Sequence, residues 1–244
     1  MGKERDEAKK TKNIHRTNDG DYTEDRKKVH SQIINYYLKL VESHENEELE
    51  AILLGGGSNS GKSTIIEELE LDDFITIDSD EIKQHLPEYE EYQRDEPEMA
   101  AFFVHDESSD ISHELLNKSI ALVKPFLYDG TMKNTEKYRE IIKELREKNY
   151  FITMIVVDVP VDLAFQRNRA RFEATGRAVP DHIVTETHDA IPNSFSELKN
   201  LVDEYYLYDT RNGYAILVAN KTVDDGEVVH DEALYHEFLN KGKK

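Results

Sequence analysis

The chain has 244 residues, 51 acidic side chains against 31 lysines and arginines, a net charge of −20 and no cysteine. That charge opposes broad binding to nucleic acid or to an anionic membrane, and the missing thiols exclude disulfides, zinc–thiolate sites and thiol catalysis. No apolar run approaches the roughly 20 residues of a membrane span, and the charged N-terminus has no segment of signal-peptide type, so a cytoplasmic protein is expected.

Residues 1–20 are charged and almost free of apolar side chains, and are expected to be a disordered tail before one domain over 21–244. Thr23 is an N-cap candidate followed by acids, and Val29, Ile33, Tyr37, Leu40 and Val41 recur at helical spacing. This predicts an amphipathic helix over 23–43, read as a brace whose stripe needs a core, with a built-in cover over the site as the alternative. A short apolar strand (51–55) leads into a Gly-rich loop and a helix at 62–70. A second strand (74–78) precedes a helix near 80–86 that Pro87 is expected to stop, and an acidic, irregular stretch follows. A helical region over 98–122, broken near "DESSD", leads to a strand (125–129) and a helix (135–148). A further strand (151–159) precedes an arginine-rich helix (161–173) and the loop "EATGRAVP". Helices at 181–190 and 195–203, a strand–turn–strand and a last helix at 231–240 complete the chain. The alternation implies an α/β fold, a parallel sheet with helices on both faces.

Gly56-Gly57-Ser58-Asn59-Ser60-Gly61-Lys62-Ser63 fits the phosphate-loop pattern G-x-x-x-x-G-K-[ST] between a strand and a helix. Its glycines let backbone N–H groups turn inward around phosphate oxygens, and the following helix adds its N-terminal dipole. Lys62 is expected on the β- and γ-phosphates and Ser63 on Mg²⁺, with Thr64 completing the nucleotide-binding set. The bland reading, a Gly/Ser turn before an ordinary helix, does not require this full pattern in this context.

Three strands end in acids: Asp78 and then Asp80, Asp129, and Asp158. In a doubly wound sheet these ends share the edge where ligands bind. Transfer of a phosphoryl group to a hydroxyl needs one carboxylate to take the proton and others to hold metal and acceptor. Solvation of loops is the competing reading for each. Arg167, Arg169, Arg171 and Arg177 cluster after the fourth strand, and suit a lid that stabilises the transferring charge; surface pairing with acids such as Glu173 is the alternative. "NKTVD" misses the guanine-reading N-K-x-D by one residue, and no glycine has an aspartate three residues before it, which argues against a GTPase switch. The histidines, His182 and His188 included, show no metal-binding pattern and are read as surface or core residues. A phosphate loop, a nearby carboxylate base and an arginine lid describe a small-molecule kinase using ATP and Mg²⁺.

In order along the chain, "GGGSNSGKST", "ITIDSDEIKQHLPEY", "SSDISHELLNKSI", "LYDGTMKN" and "RFEATGRAVP" resemble the zeta toxin kinases over roughly residues 20–215. The resemblance implies a P-loop kinase fold preceded by an N-terminal helix, and transfer from ATP to the 3'-hydroxyl of the amino sugar of UDP-N-acetylglucosamine. It implies Asp80 as general base, Lys62 and Ser63 on phosphates and Mg²⁺, Glu114 and Thr131 on the acceptor, and Arg171 and Arg177 as phosphate clamps. It also implies a small antitoxin protein as partner. Asp129 departs from the pattern, which has glutamate before the Gly-Thr pair. That departure keeps a second acceptor open: another nucleotide sugar, a nucleoside or an antibiotic. A nucleotide-binding module without turnover is the alternative of a different class.

Overall fold

The computed structural model describes residues 6–41, 49–175 and 179–243. A seven-stranded sheet in the order β2-β3-β1-β4-β5-β6-β7 forms its spine. β1 (Glu50–Gly56) lies between β3 (Phe126–Asp129) and β4 (Phe151–Asp158), and β2 (Ile75–Ile77) and β5 (Glu204–Asp209) extend the parallel part on either side. β6 (Ile216–Thr222) and β7 (Gly226–Val229) add an antiparallel margin. β1 and β4 are buried almost throughout, as parallel strands covered on both faces must be. Alternation along β1 sends Ala51 and Leu53 into a large core on one face, and Ile52 and Leu54 into a smaller core on the other.

The helices are α1 (Thr11–Ile14), α2 (Glu24–Leu40), α3 (Lys62–Ile66), α4 (Ser79–Ile82), α5 (Pro87–Asp95), α6 (Pro97–Ala121), α7 (Thr135–Glu147), α8 (Val161–Thr175), α9 (Asp181–Leu198) and α10 (Glu232–Asn240). Thr23 caps α2 by accepting from the N–H of Arg26. Ile33, Ile34 and Tyr37 bury the helix in the larger core, the packing expected of a brace. Two of its polar residues, Arg26 and His30, are buried too: the Arg26 guanidinium bridges Glu107 of α6 (2.5 and 2.8 Å) and Glu88 of α5 (2.8 Å twice). His30 adds a 2.6 Å contact to Glu107 and His15 a 2.7 Å contact to Glu88.

The structure departs from the sequence-based expectations in five places. Residues 6–20 do not behave as a disordered tail: Thr11 is fully buried and donates to the carbonyl of Phe103, and Lys9, Lys10 and Lys12 pair with Glu96, Asp106 and Asp110. Glu96, between α5 and α6, and two acids of α6 supply the partners that composition alone could not reveal. The acidic stretch after Pro87 is helical, because proline at the first helical position starts α5 instead of only ending what precedes it. α6 runs unbroken through "DESSD", since Glu107 and Ser108 face inward and Glu107 meets Arg26. α9 continues through Pro192, where two helices were expected, and the mostly exposed β7 lacks the apolar pattern that announces a strand. No helix among the described residues is long and apolar enough to cross a membrane.

Candidate active site

The sheet places the phosphate loop at the C-terminal ends of its parallel strands. Leu54, two residues before the end of β1, pairs in register with Asp129 on one side and with Ile155 on the other, and Asp158 of β4 lies opposite Asp209 of β5. The strand-end acids therefore do share one edge. Gly61, at the N-cap of α3, has φ of 93°, a left-handed conformation that favours glycine. A Cβ on Gly56 would lie 2.6 Å from the Ser60 hydroxyl and 2.7 Å from the Val157 carbonyl, so the loop curls tightly over the sheet edge. This is the cradle that a phosphate chain needs, and the loop's residues fit one.

Lys62 Nζ lies 3.8 Å from Asp129 Oδ1, a half-buried cation beside a largely enclosed carboxylate whose Oδ1 has no hydrogen-bond partner among the described residues. Burial pushes the Asp129 carboxyl up to about 6; Lys62 opposes this, and Asp78 and Asp80 reinforce it. Asp78 caps α4 by accepting from the N–H of Asp80 at 2.7 Å. Burial and Asp80 also raise its carboxyl, against that hydrogen bond, Lys62 and Lys83. Asp80 stands on the first turn of α4, paired with Lys83, and Arg171 Nη2 approaches its other oxygen at 3.7 Å. Asp80, Asp129, Lys62 and Arg171 thus form one linked set of charges.

The remaining expected site residues fall elsewhere. Arg167 rests against the phosphate loop. It braces the outer side of the phosphate loop, donating to the carbonyls of Asn59 (3.4 Å) and Ser60 (3.3 Å) and to Thr210 after β5. Four residues on along the same helix, Arg171 meets Asp80 instead, so the shared face divides its work. Arg169 is exposed, and Arg177 lies outside the described residues. Asp158 turns to Lys241 at the end of α10 (2.5 Å), away from any role beside Lys62. Glu114 pairs with Lys118 on the exposed face of α6 at 2.9 Å, and Thr131 lies half-buried in the loop after β3. The near-match "NKTVD" is structural: Asn220 and Lys221 belong to β6, and Lys221 donates to the carbonyls of Lys199 and Val202. Sequence reading missed Lys83, whose spacing of three from Asp80 on a helix was a usable signal. It also missed Thr210, which no motif marks.

A family profile described as "Zeta toxin" matches residues 35–222, most of the chain and all of this site. The chain belongs to the zeta toxin family. No curated protein sequence matches it. The fold is shared with solved structures of low sequence identity. One, from the PezAT chromosomal toxin–antitoxin system of Streptococcus pneumoniae, is 21% identical with a TM-score of 0.64, and the match covers 80% of this chain and 81% of that one. The AvrRxo1-ORF1:-ORF2 complex is 18% identical with a TM-score of 0.75, covering 93% and 76%. A further AvrRxo1-ORF1:-ORF2 structure, determined with ATP, is 15% identical with a TM-score of 0.69, covering 91% and 74%. As a zeta toxin family member, the chain is placed among phosphotransferases.

Proposed function

We propose that this zeta toxin family protein is a kinase that transfers the γ-phosphoryl group of ATP to the 3'-hydroxyl of the amino sugar of UDP-N-acetylglucosamine. The observation that carries the reading is the convergence of Lys62, Asp80, Asp129 and Arg171 at the mouth of the phosphate loop. The loop N–H groups of Gly56–Thr64 and the Lys62 ammonium hold the phosphates. The Ser63 hydroxyl is the residue for Mg²⁺, which when bound neutralises charge on the phosphates. Asp80 takes the proton of the attacking hydroxyl, and Arg171, with Arg177, stabilises charge on the group in flight. Thr131, Asp129 and Glu114 are assigned to the acceptor. The complexes formed by the PezAT and AvrRxo1 proteins support an antitoxin-type protein as partner.

A second reading keeps the reaction and changes the acceptor. Asp129 is one methylene shorter than the glutamate of the family pattern, and it turns toward Lys62, which favours another nucleotide sugar or a nucleoside. Incubating the protein with ATP, Mg²⁺ and UDP-N-acetylglucosamine is expected to yield ADP and a product heavier by one phosphate. ADP formation that needs a different acceptor from a metabolite extract would establish the second reading. Intact ATP binding with no transfer to any acceptor would overturn both.

A further inference from the structure

Gly57 occupies a position that the phosphate-loop pattern leaves free, yet nothing larger fits there. A Cβ on it would lie 2.4–2.5 Å from Cδ2, Nε2 and Cε1 of His188. That imidazole is 1% exposed, and its Nε2–H donates to the Ser58 carbonyl at 3.0 Å. The preceding residue of α9, Thr187, accepts from the Ser58 N–H at 3.1 Å and donates to the carbonyl of Val184 at 3.0 Å. Both backbone polar groups of Ser58 are therefore held by two consecutive side chains from a helix about 130 residues away.

The choice of histidine is not explained by packing. Its Nδ1 is buried with no hydrogen-bond partner among the described residues, and Asp158 Oδ1 lies 3.9 Å off, already engaged by Lys241. An apolar side chain would avoid the cost of that bare nitrogen, but it could not hold the Ser58 carbonyl. Burial lowers the His188 pKa to about 4, with Lys241 and Lys62 acting in the same direction against the Ser58 hydrogen bond and Asp189. The ring is therefore neutral near pH 7, and the proton it keeps is the one on Nε2 that the Ser58 carbonyl requires. On the opposite flank, Arg167 holds the Asn59 and Ser60 carbonyls, and Asn168 accepts from the Asn59 side chain at 3.2 Å. Asn59 itself sits at φ of 62°, a left-handed conformation that needs such support.

We infer that Thr187 and His188 are positioning residues of the nucleotide site, fixing the Gly57–Ser58 segment from outside so that the N–H groups beyond it converge on phosphate. The inference rests on the ATP-binding reading of the loop. Its physical basis is preorganisation: a Gly/Ser-rich run left loose would have to be ordered by the ligand, and that ordering would subtract from affinity. Gly57 is then explained as the receptor for the imidazole ring.

The test measures ATP dissociation constants by calorimetry, beside melting temperatures without nucleotide, for H188A, H188Q, T187V, G57A and the G57A/H188A pair. Losing the grip on Ser58 is expected to weaken ATP about tenfold in H188A and T187V, the scale of one hydrogen bond with its ordering. H188Q, whose side-chain amide can reach the Ser58 carbonyl, should recover most of that loss. G57A should weaken ATP at least as much as H188A, and should add little in the H188A background, because both changes undo one contact. ATP affinities of H188A and G57A within about twofold of wild type, with only the melting temperature lowered, would overturn the proposal, and so would fully additive losses in the pair. Should H188A not fold, H188Q and G57A decide the matter by the same measurement. A wild-type protein that binds no ATP would overturn the nucleotide reading itself, and is told apart by failing before any variant is compared.

Discussion

Two regions of the molecule gather carboxylates around a cation, and they do so to opposite ends. Around Arg26, every group is satisfied: the guanidinium spends its donors on Glu88 and Glu107, and two histidines close the remaining acceptor positions. Around Lys62 the pairing is looser: Lys62 stands 3.8 Å from Asp129, which keeps an oxygen without a hydrogen bond among the described residues, and the group opens toward the phosphate loop. The first arrangement is what a structural ion cluster requires, since a buried charge is tolerated only when paired and hydrogen-bonded. The second holds charge in reserve for a ligand. Completeness of pairing, rather than the presence of charge, separates the frame from the site.

The sharpest way to break the comparison is to open the satisfied cluster. Glu107→Ala leaves Arg26 buried without its main partner, and is expected to cost about 3–5 kcal/mol of stability in denaturant unfolding. Acid should reach the same cluster. Arg26 and His30 hold the buried Glu107 carboxyl down to about 2 despite desolvation. Its folded value is below its unfolded one, so its contribution is complete above about 4.5 and is lost as pH falls toward 2. Unfolding midpoints measured between pH 7 and 2 check this, and a Glu107→Gln variant should flatten the acid limb.

In the open cluster, the corresponding change should strike activity and spare the fold. Asp80→Asn is expected to lower turnover by about 10²–10⁴-fold, the usual worth of a general base, with the melting temperature nearly unchanged because Asp80 is partly exposed. Loss of folding in place of turnover would place Asp80 in the frame.

The two clusters also differed in legibility. The phosphate loop, Asp80 and Arg171 stood out as candidates because their residue types fall in short local patterns: a glycine spacing, a strand-end acid, an arginine after a strand. The mostly parallel sheet followed from the alternation of apolar runs with helical periodicity, while the order of its strands came only with the structure. The Arg26 cluster was invisible because its members are separated by 62 and 81 residues, and a charged residue on a helix looks the same whether it meets water or a buried acid. The same limitation turned α1 into an expected disordered tail and hid the contact of Arg167 with the phosphate loop. Each error concerns a polar side chain whose partner is distant in sequence.

Asp129 sharpens the comparison from the other side, because its position should cost stability. Its carboxyl is raised to about 6 from an ordinary value near 3.8. A folded value above the unfolded one means stability that is present below about 3.8 and lost as pH rises through 6. Asp129→Asn is therefore expected to stabilise the protein at pH 7, by at most roughly 3 kcal/mol from the shift, less whatever the Lys62 attraction returns. Activity should fall in the same variant. A loss of both stability and activity would move Asp129 into the structural class.

The smallest effect is expected at Glu114, which carries the same charge as Glu107 two turns further along the same helix, where the side chain is open to solvent instead of covered. Its pair with Lys118 is open to solvent, and exposed i,i+4 pairs contribute about 0.3–0.5 kcal/mol. Glu114→Gln should thus leave unfolding midpoints almost where they were. Its assignment to the acceptor rests on position in the family pattern, so the informative reading is the acceptor KM, which is expected to rise several-fold. An unchanged KM would reduce Glu114 to a solvated helix surface. The acceptor would then be held by Asp80, Asp129 and Thr131, beside the strand ends where Asp129 keeps an oxygen without a hydrogen bond among the described residues.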